Sequence, residues 1–106
     1  MQKKILLLLG GAYHDFEGFA KAVRPLFEAD GYTIDATYDL TALERLAEEE
    51  IDVVLMYTCF SENAVDSAPN VAQSEALFDW VQAGGGLLAA HGATVIPEDN
   101  WTLRDL

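Results

Sequence analysis

The stretch KILLLL, residues 4–9, followed by the two glycines of residues 10–11, decides how this chain folds. Every position from Ile5 to Leu9 is apolar, with none of the alternation that marks a strand with one solvated face. A strand that is apolar on both faces belongs in a parallel sheet covered by helices on both sides. The run therefore predicts a buried parallel strand, ended by Gly10-Gly11, in an α/β domain.

The next segment carries the pattern of an amphipathic helix. Apolar residues between Phe16 and Phe27 recur at helical spacing and form one stripe. Asp15 is placed to cap the first turn, and Gly31 to end the helix. Pro25 lacks a backbone donor, so we expect it to kink or split the helix.

Extended and helical patterns then alternate. Strands are predicted over 32–38 (a more polar edge strand), 51–57 and 87–90, and a third helix over 71–83 with Gly84 as its C-cap. Thr41 and Glu44 have capping-box spacing and open a short helix that ends in exposed glutamates. Its inward residues are predicted to be Leu43, Leu46 and Ala47.

This β-α-β-α-β-α-β order predicts parallel strands with right-handed crossovers. The fold class expected is a flavodoxin-like doubly wound parallel sheet of order 2-1-3-4, in a single domain over residues 1–106. Residues 101–106 have the pattern of the start of a further helix, and the apolar fourth strand would lack a covering neighbour in a sheet of four strands. We therefore expect the domain to be the incomplete, N-terminal part of a longer one.

The amino-acid composition excludes some classes of binding partner and indicates the cellular compartment. Among 106 residues, 6 Lys and Arg oppose 18 Asp and Glu, so the net charge is −12, while 51% of residues are hydrophobic. The apolar fraction excludes a disordered chain, and the acidity argues against nucleic acid and anionic membranes. The only cysteine, Cys59, cannot form an intrachain disulfide, and the leading apolar run is shorter than a signal peptide requires. We expect a cytoplasmic protein without a membrane span; homo-oligomerisation stays open.

Candidate chemistry gathers in three loops. In open α/β sheets, ligands bind beyond the carboxyl ends of the strands. The loops that begin at Gly10, Thr58 and His91 follow the first, third and fourth strands, which the predicted order makes neighbours. Both histidines of the chain, His14 and His91, and its cysteine lie in these loops. We therefore expect the two imidazoles to share one crevice, with nitrogens about 10 Å apart or less, as a small-molecule pocket requires.

Each candidate has an alternative structural role. His14 is an acid, base or hydroxyl ligand, or else a surface residue beside the helix cap Asp15. Cys59 is a nucleophile, a metal ligand or a buried inert thiol. Glu62 is an acid or base, or a solvated loop residue. His91, between Ala90 and Gly92, occupies a turn that resembles a nucleophile elbow, or else it is a packed histidine.

The segments ILLLLGGAYHD (residues 5–15) and GGGLLAAHGAT (residues 84–94) resemble the ThuA-like (trehalose utilization) family, which is similar to class I glutamine amidotransferases. The resemblance implies a class I glutamine amidotransferase-like fold. It also implies a carbohydrate ligand, from trehalose and related disaccharide metabolism through keto-sugar intermediates. At the elbow, where the amidotransferases carry a catalytic Cys, this chain has His91, which argues against glutaminase chemistry.

The resemblance carries over onto His14 and His91, which are the expected catalytic residues; whether the chain is an enzyme, such as a sugar-processing hydrolase, lyase or isomerase, stays open. The expected substrate contacts at the rim are Gly11, Tyr13, Asp15, Cys59, Glu62 and Thr94. A divalent metal held by the histidines with Cys59 or Glu62 stays open, although no ligand motif supports it.

Other functional classes fit less well. A non-catalytic flavodoxin-like binding or interaction module is the main alternative. A phosphoacceptor receiver domain is rejected because the first and third strands end without the required acidic residues. Nucleotide binding through Gly10-Gly11 lacks both GxGxxG and GKS/GKT.

Overall fold

A computed structural model describes residues 3–11, 15–59, 69–90 and 101–106. It contains a sheet of four parallel strands in the order β2-β1-β3-β4. The strands are β1 (Lys3–Gly11), β2 (Tyr32–Thr37), β3 (Val53–Cys59) and β4 (Gly86–Ala89), and the helices are α1 (Phe16–Ala29), α2 (Val71–Gln82) and α3 (Trp101–Arg104), with a 3-10 helix over Leu40–Arg45. The predicted flavodoxin-like arrangement and strand order are confirmed.

Strand β1 is the buried centre of the sheet, as its sequence predicts. Residues from Ile5 to Leu9 are at most 3% exposed, and their side chains alternate between two separate cores. The glycines continue the strand rather than end it, and Gly10 has a φ of 145°, a conformation that side-chain-bearing residues rarely adopt.

Helix α1 begins and ends as predicted. The Asp15 side chain accepts a hydrogen bond from Gly18 N at 3.0 Å, and Gly31, with a φ of 88°, follows the last turn. Pro25 does not split the helix. Pro25 and Lys21, whose carbonyl would have received the missing N–H, are both exposed, so water can satisfy that carbonyl.

The segment after β2 differs from its prediction. It forms a 3-10 helix capped by Asp39 instead of a helix opened by Thr41, because the Asp39 carboxylate accepts from Thr41 N at 3.0 Å. Leu43 and Leu46 are buried as predicted, but Ala42 is the buried alanine and Ala47 is exposed.

Strand β3 starts two residues later than predicted and runs through Cys59. Ile51 is buried outside the strand, because its N–H donates to Leu46 O at 3.0 Å and closes the preceding turn. Helix α2 ends at Gln82 with Ala83 as its C-cap, and Gly84 follows with a φ of 112°.

The helices cover both faces of the sheet. Helix α1 packs over the core that contains Ile5, Leu7 and Leu55. The opposite core gathers side chains from the 3-10 helix, α2 and α3 around Leu6 and Leu8. The chain leaves β1 in one direction toward β2 and then returns past it to β3. The topological switch point therefore lies between β1 and β3.

None of the helices in the described ranges has the length and apolar character that crossing a membrane would require.

Candidate functional site

The carboxyl ends of three adjacent strands define the candidate site. Gly11 of β1 is in register with Cys59 of β3, so the first and third loops leave the sheet side by side. Ala90 N donates to Met56 O at 2.9 Å, so the chain is still paired with β3 at Ala90. β1 and β4 are separated by β3 alone, so their axes are roughly 10 Å apart at ordinary strand spacing, and β4 ends opposite Met56 whereas β1 ends opposite Cys59.

Most of the predicted site residues lie outside the part of the chain that the structure describes. These residues are Tyr13, His14, Glu62, His91 and Thr94. Of the others, Gly11 and Cys59 are placed by their backbones as the last residues of their strands. Asp15 is fully described. The approach of the two imidazoles therefore stays a prediction.

Asp15 acts as a helix cap at this rim. Its Oδ1 accepts from Gly18 N, and its backbone carbonyl accepts from Phe19 N at 3.1 Å. A Cβ at position 18 would meet the carboxyl group, with only 2.7 Å to its Cγ. Gly18 thus allows the carboxylate to lie close over the first turn, directly after the loop that carries His14.

A row of aromatic rings, formed by Tyr38, Phe16, Tyr57 and Phe19, crosses the same end of the sheet on the α1 side. Tyr38 meets Phe16 edge-on with centroids 6.2 Å apart, and Phe16 meets Tyr57 edge-on at 5.9 Å. Tyr57 stacks on Phe19 at 3.9 Å with an interplanar angle of 5°. This aromatic row links the carboxyl end of β2 to that of β3 across the first turn of α1.

Hydrogen bonds of Asp39 with Thr37 and Thr41 stabilise the turn that carries Tyr38. Asp39 N donates to Thr37 Oγ1 at 3.0 Å, and Asp39 Oδ1 accepts from Thr41 Oγ1 at 2.7 Å. The Thr41 side-chain hydrogen bond, with further help from the Thr41 N–H and the charge of Arg45, lowers the pKa of Asp39. Asp39 is therefore an anionic cap beside the rim at neutral pH.

Thr58, in register with Gly10, contributes a buried polar group near the end of β3. It is 1% exposed, and its Oγ1 has no hydrogen-bond partner among the residues that the structure describes. A buried hydroxyl without a partner is uncommon in a folded domain. By strand alternation, its side chain points to the sheet face opposite the aromatic row.

The site has features that the sequence interpretation missed. The sequence patterns predict Tyr38 only as the last residue of a strand, and Thr58 only as the start of a loop. A tyrosine and a threonine directly at the carboxyl ends of predicted parallel strands were the available signals.

No group of three or more His, Cys, Asp or Glu able to hold a metal occurs within the described ranges. The proposed metal ligands His14, His91 and Glu62 are not in those ranges.

A groove of about 370 Å³ opens elsewhere, beside Lys4, Thr33 and Glu49. It lies near the starts of the strands, and Lys4 Nζ already donates to Glu49 O at 3.3 Å. Ligands of doubly wound sheets bind at the opposite edge, so this groove is not the candidate site.

Comparison with known proteins supports the fold. No protein-family model and no curated protein matches the sequence. The architecture described above defines a flavodoxin-like α/β domain. A crystal structure of a protein provisionally named ThuA-like, from Bacteroides uniformis ATCC 8492, matches it with a TM-score of 0.69 at 20% identity. The match covers 96% of this chain and 42% of that one, so this chain spans less than half of its neighbour's length. At this identity the likeness establishes the fold alone.

Proposed function

We propose that this chain is a ThuA-like protein of trehalose and related disaccharide metabolism that binds a sugar-type small molecule at the carboxyl rim of its sheet. The observation that carries the proposal is the strand order, which brings the loops after β1, β3 and β4 to one edge beside the switch point. The ThuA-like structural neighbour supports the same assignment. The domain is proposed to be the N-terminal part of a larger one and to work in the cytoplasm.

In this proposal His14 and His91 exchange protons with the sugar. The ordinary pKa of imidazole lies near neutrality, so one ring can accept a proton from carbon beside a keto group while the other protonates oxygen. Gly11, Tyr13, Asp15, Cys59, Glu62 and Thr94 are the proposed contacts. Because His91 stands where an amidotransferase has its cysteine, no thioester can form at that position, and glutamine is not hydrolysed.

Binding is tested by saturation-transfer NMR on the 106-residue chain with trehalose, methyl α-glucopyranoside and glutamine as separate probes. The proposal expects transfer to the sugars and none to glutamine. His14→Ala and His91→Ala are expected to weaken the transfer, while Leu26→Ala, at an exposed position on α1, leaves it unchanged. A wild-type chain that binds neither sugar would overturn the proposal.

Chemistry is tested separately from binding. Fructose, a keto sugar, is incubated with the chain in D₂O, and deuterium uptake at the carbon beside the keto group is followed by NMR. Loss of uptake in either histidine variant supports acid–base catalysis. Sugar binding with no uptake in the wild type indicates instead a non-catalytic binding module.

A metal requirement is checked by elemental analysis of the purified chain and by repeating the uptake assay with a chelator. Stoichiometric metal whose removal stops exchange would place an ion between the histidines and Cys59 or Glu62. Uptake that is indifferent to the chelator leaves proton transfer to the imidazoles alone.

A further inference from the structure

We infer that Tyr38 forms an aromatic wall of the rim site and that it packs against the apolar C–H face of a neutral, unphosphorylated pyranose. The inference rests on the proposed function and adds to it a recognition residue and a ligand class. The resemblance to ThuA-like proteins implies a carbohydrate ligand, but it assigns no role to Tyr38.

The position of Tyr38 is the first argument. It follows the carboxyl end of β2, and its ring contacts Phe16, the residue directly after the cap Asp15. The aromatic row continues from Phe16 to Tyr57, whose strand β3 borders the switch point. Tyr38 is therefore the exposed outer end of a row of contacting rings that runs toward the proposed crevice, and the inner rings of that row, Phe16 and Tyr57, pack partly against the core.

The exposure of Tyr38 is the second argument. Tyr38 as a whole residue remains 53% exposed although its ring already contacts Phe16. Tyr32, at the other end of β2, makes a similar edge-on contact with Phe27 at 5.9 Å, but it packs against the core beneath α1. Packing against the core thus explains why Tyr32 is an aromatic residue. The exposed face of Tyr38 has no such structural role and is available to a ligand.

The rigidity of the turn is the third argument. The hydrogen bonds of Asp39 to Thr37 and Thr41 hold the backbone that flanks Tyr38. An aromatic ring has few rotatable bonds, so little conformational entropy is lost when a ligand packs against it. A preorganised ring suits a ligand with a flat apolar surface and polar edges, as a pyranose has.

Charge selects the class of sugar. Each ring of the Tyr38–Phe16 pair has a carboxylate next to it in the sequence, because Asp15 directly precedes Phe16 and Asp39 directly follows Tyr38. The whole chain carries a net charge of −12. A negative field of this kind repels anions. We therefore expect neutral pyranoses to bind in preference to sugar phosphates.

The test compares methyl α-glucopyranoside, sorbitol and glucose 6-phosphate by saturation-transfer NMR and titration. Sorbitol has the hydroxyls but no ring face. The wild type should bind the pyranoside more tightly than the other two. Tyr38→Leu should weaken pyranoside binding by about three- to tenfold, the range expected for loss of one ring contact. Tyr38→Phe should bind like the wild type, because the ring and not the hydroxyl makes the contact.

Tyr32→Leu is the matched control, since it removes a ring from the opposite end of the same strand. It should leave pyranoside binding unchanged, and amide NMR spectra verify that each variant is folded. Equal affinity of the wild type and Tyr38→Leu for the pyranoside overturns the role of Tyr38 and leaves the proposed function standing. Failure of the wild type to bind any sugar overturns both. Tighter binding of glucose 6-phosphate overturns the assignment to neutral sugars.

Discussion

At the scale of single residues, the contact between Asp15 and position 18 ties helix α1 to the loop that precedes it. The carboxylate lies where a Cβ at position 18 would be, and it accepts from the Gly18 N–H. Glycine is therefore required by the cap itself and not by backbone conformation.

We predict that Gly18→Ala displaces the Asp15 carboxylate and destabilises the chain. Loss of an N-cap costs about 0.5–2 kcal/mol, and the better helix propensity of alanine offsets up to about 1 kcal/mol of that cost, so we expect a small net loss of stability. Urea unfolding measures the change in free energy. In an Asp15→Ala background the clash is gone, so Gly18→Ala should then stabilise the chain. Destabilisation of equal size in both backgrounds would show that the carboxylate is not the cause.

Asp39 offers a pH test of the turn that carries Tyr38. Its pKa is lowered chiefly by the Thr41 hydroxyl, so Thr41→Val, which keeps the backbone N–H, should raise it toward the ordinary aspartate value. The pKa of Asp39 is lower in the folded chain than in the unfolded chain. The stabilisation that its carboxylate gives the folded chain is therefore fully present above the unfolded-state pKa, and it is lost as the pH falls through the folded-state pKa.

The pKa of Asp39 can be followed through its carboxyl carbon by NMR titration. Glu44→Gln is a suitable control, since it changes a neighbouring charge without touching the hydrogen bonds of Asp39. An Asp39 midpoint that is the same in Thr41→Val and the wild type contradicts the assigned cause.

At the scale of secondary-structure elements, the turn from α2 to β4 depends on close packing by Trp80. A Cβ at Gly85 would lie 2.5 Å from Cε2 of the indole, and the Trp80 side chain itself packs against the buried core. The neighbouring Gly86 differs, because its Cβ would meet Val53 Cγ2 at an ordinary 3.4 Å.

We predict that Gly85→Ala costs about 1 kcal/mol, the lower end of the range for overpacking, because Gly85 and Trp80 are only partly buried. Gly86→Ala, one residue further on, should cost clearly less. Denaturant unfolding of both variants gives the comparison, and fluorescence in a Trp101→Phe background, where Trp80 is the remaining tryptophan, reports the displacement of its indole. Equal costs at the two positions would mean that the turn and not the indole sets the requirement.

Sequence patterns predicted the elements well where one strong local signal acted alone. The apolar run of β1, the Asp15 cap and the glycine after α1 are such cases. The errors occur where two signals competed. Asp39 outcompeted Thr41 as the cap, and a hydrogen bond to Leu46 O keeps Ile51 in a turn, from which its side chain packs in the core, although its pattern resembles a strand.

The candidate site also has parts that the sequence could predict and parts that it could not. Strand order follows from chain connectivity, so the sequence could predict which loops are neighbours. The contact of Tyr38 with Phe16 depends on how α1 packs across β2, and the burial of Thr58 depends on which helices cover its face. Local patterns carry no information on either. The histidine positions lie outside the described residues and stay predictions.

At the scale of the whole molecule, the sheet ends at two edge strands, β2 and β4, and β4 lacks the charged residues that usually protect an edge. Strand β4 pairs with β3 and with no other described strand, and its residues Gly86 to Ala89 include no charge. Leu88 is 52% exposed on the same face as α1. Natural edge strands usually carry charges or bulges that prevent pairing with other chains, and β4 has neither a charged residue nor an irregular register.

Hydrogen exchange at β4 will show whether that border is open in solution. The amides of Gly86 and Ala90 donate to carbonyls at Asp52 and Met56, so by strand alternation those of Leu87 and Ala89 point away from β3. We predict slow exchange at the first pair and fast exchange at the second, measured residue by residue by NMR. Slow exchange at Leu87 and Ala89 would contradict an open border. If that protection grows with protein concentration, the covering strand belongs to a second copy, and if it does not, the strand belongs to the same molecule.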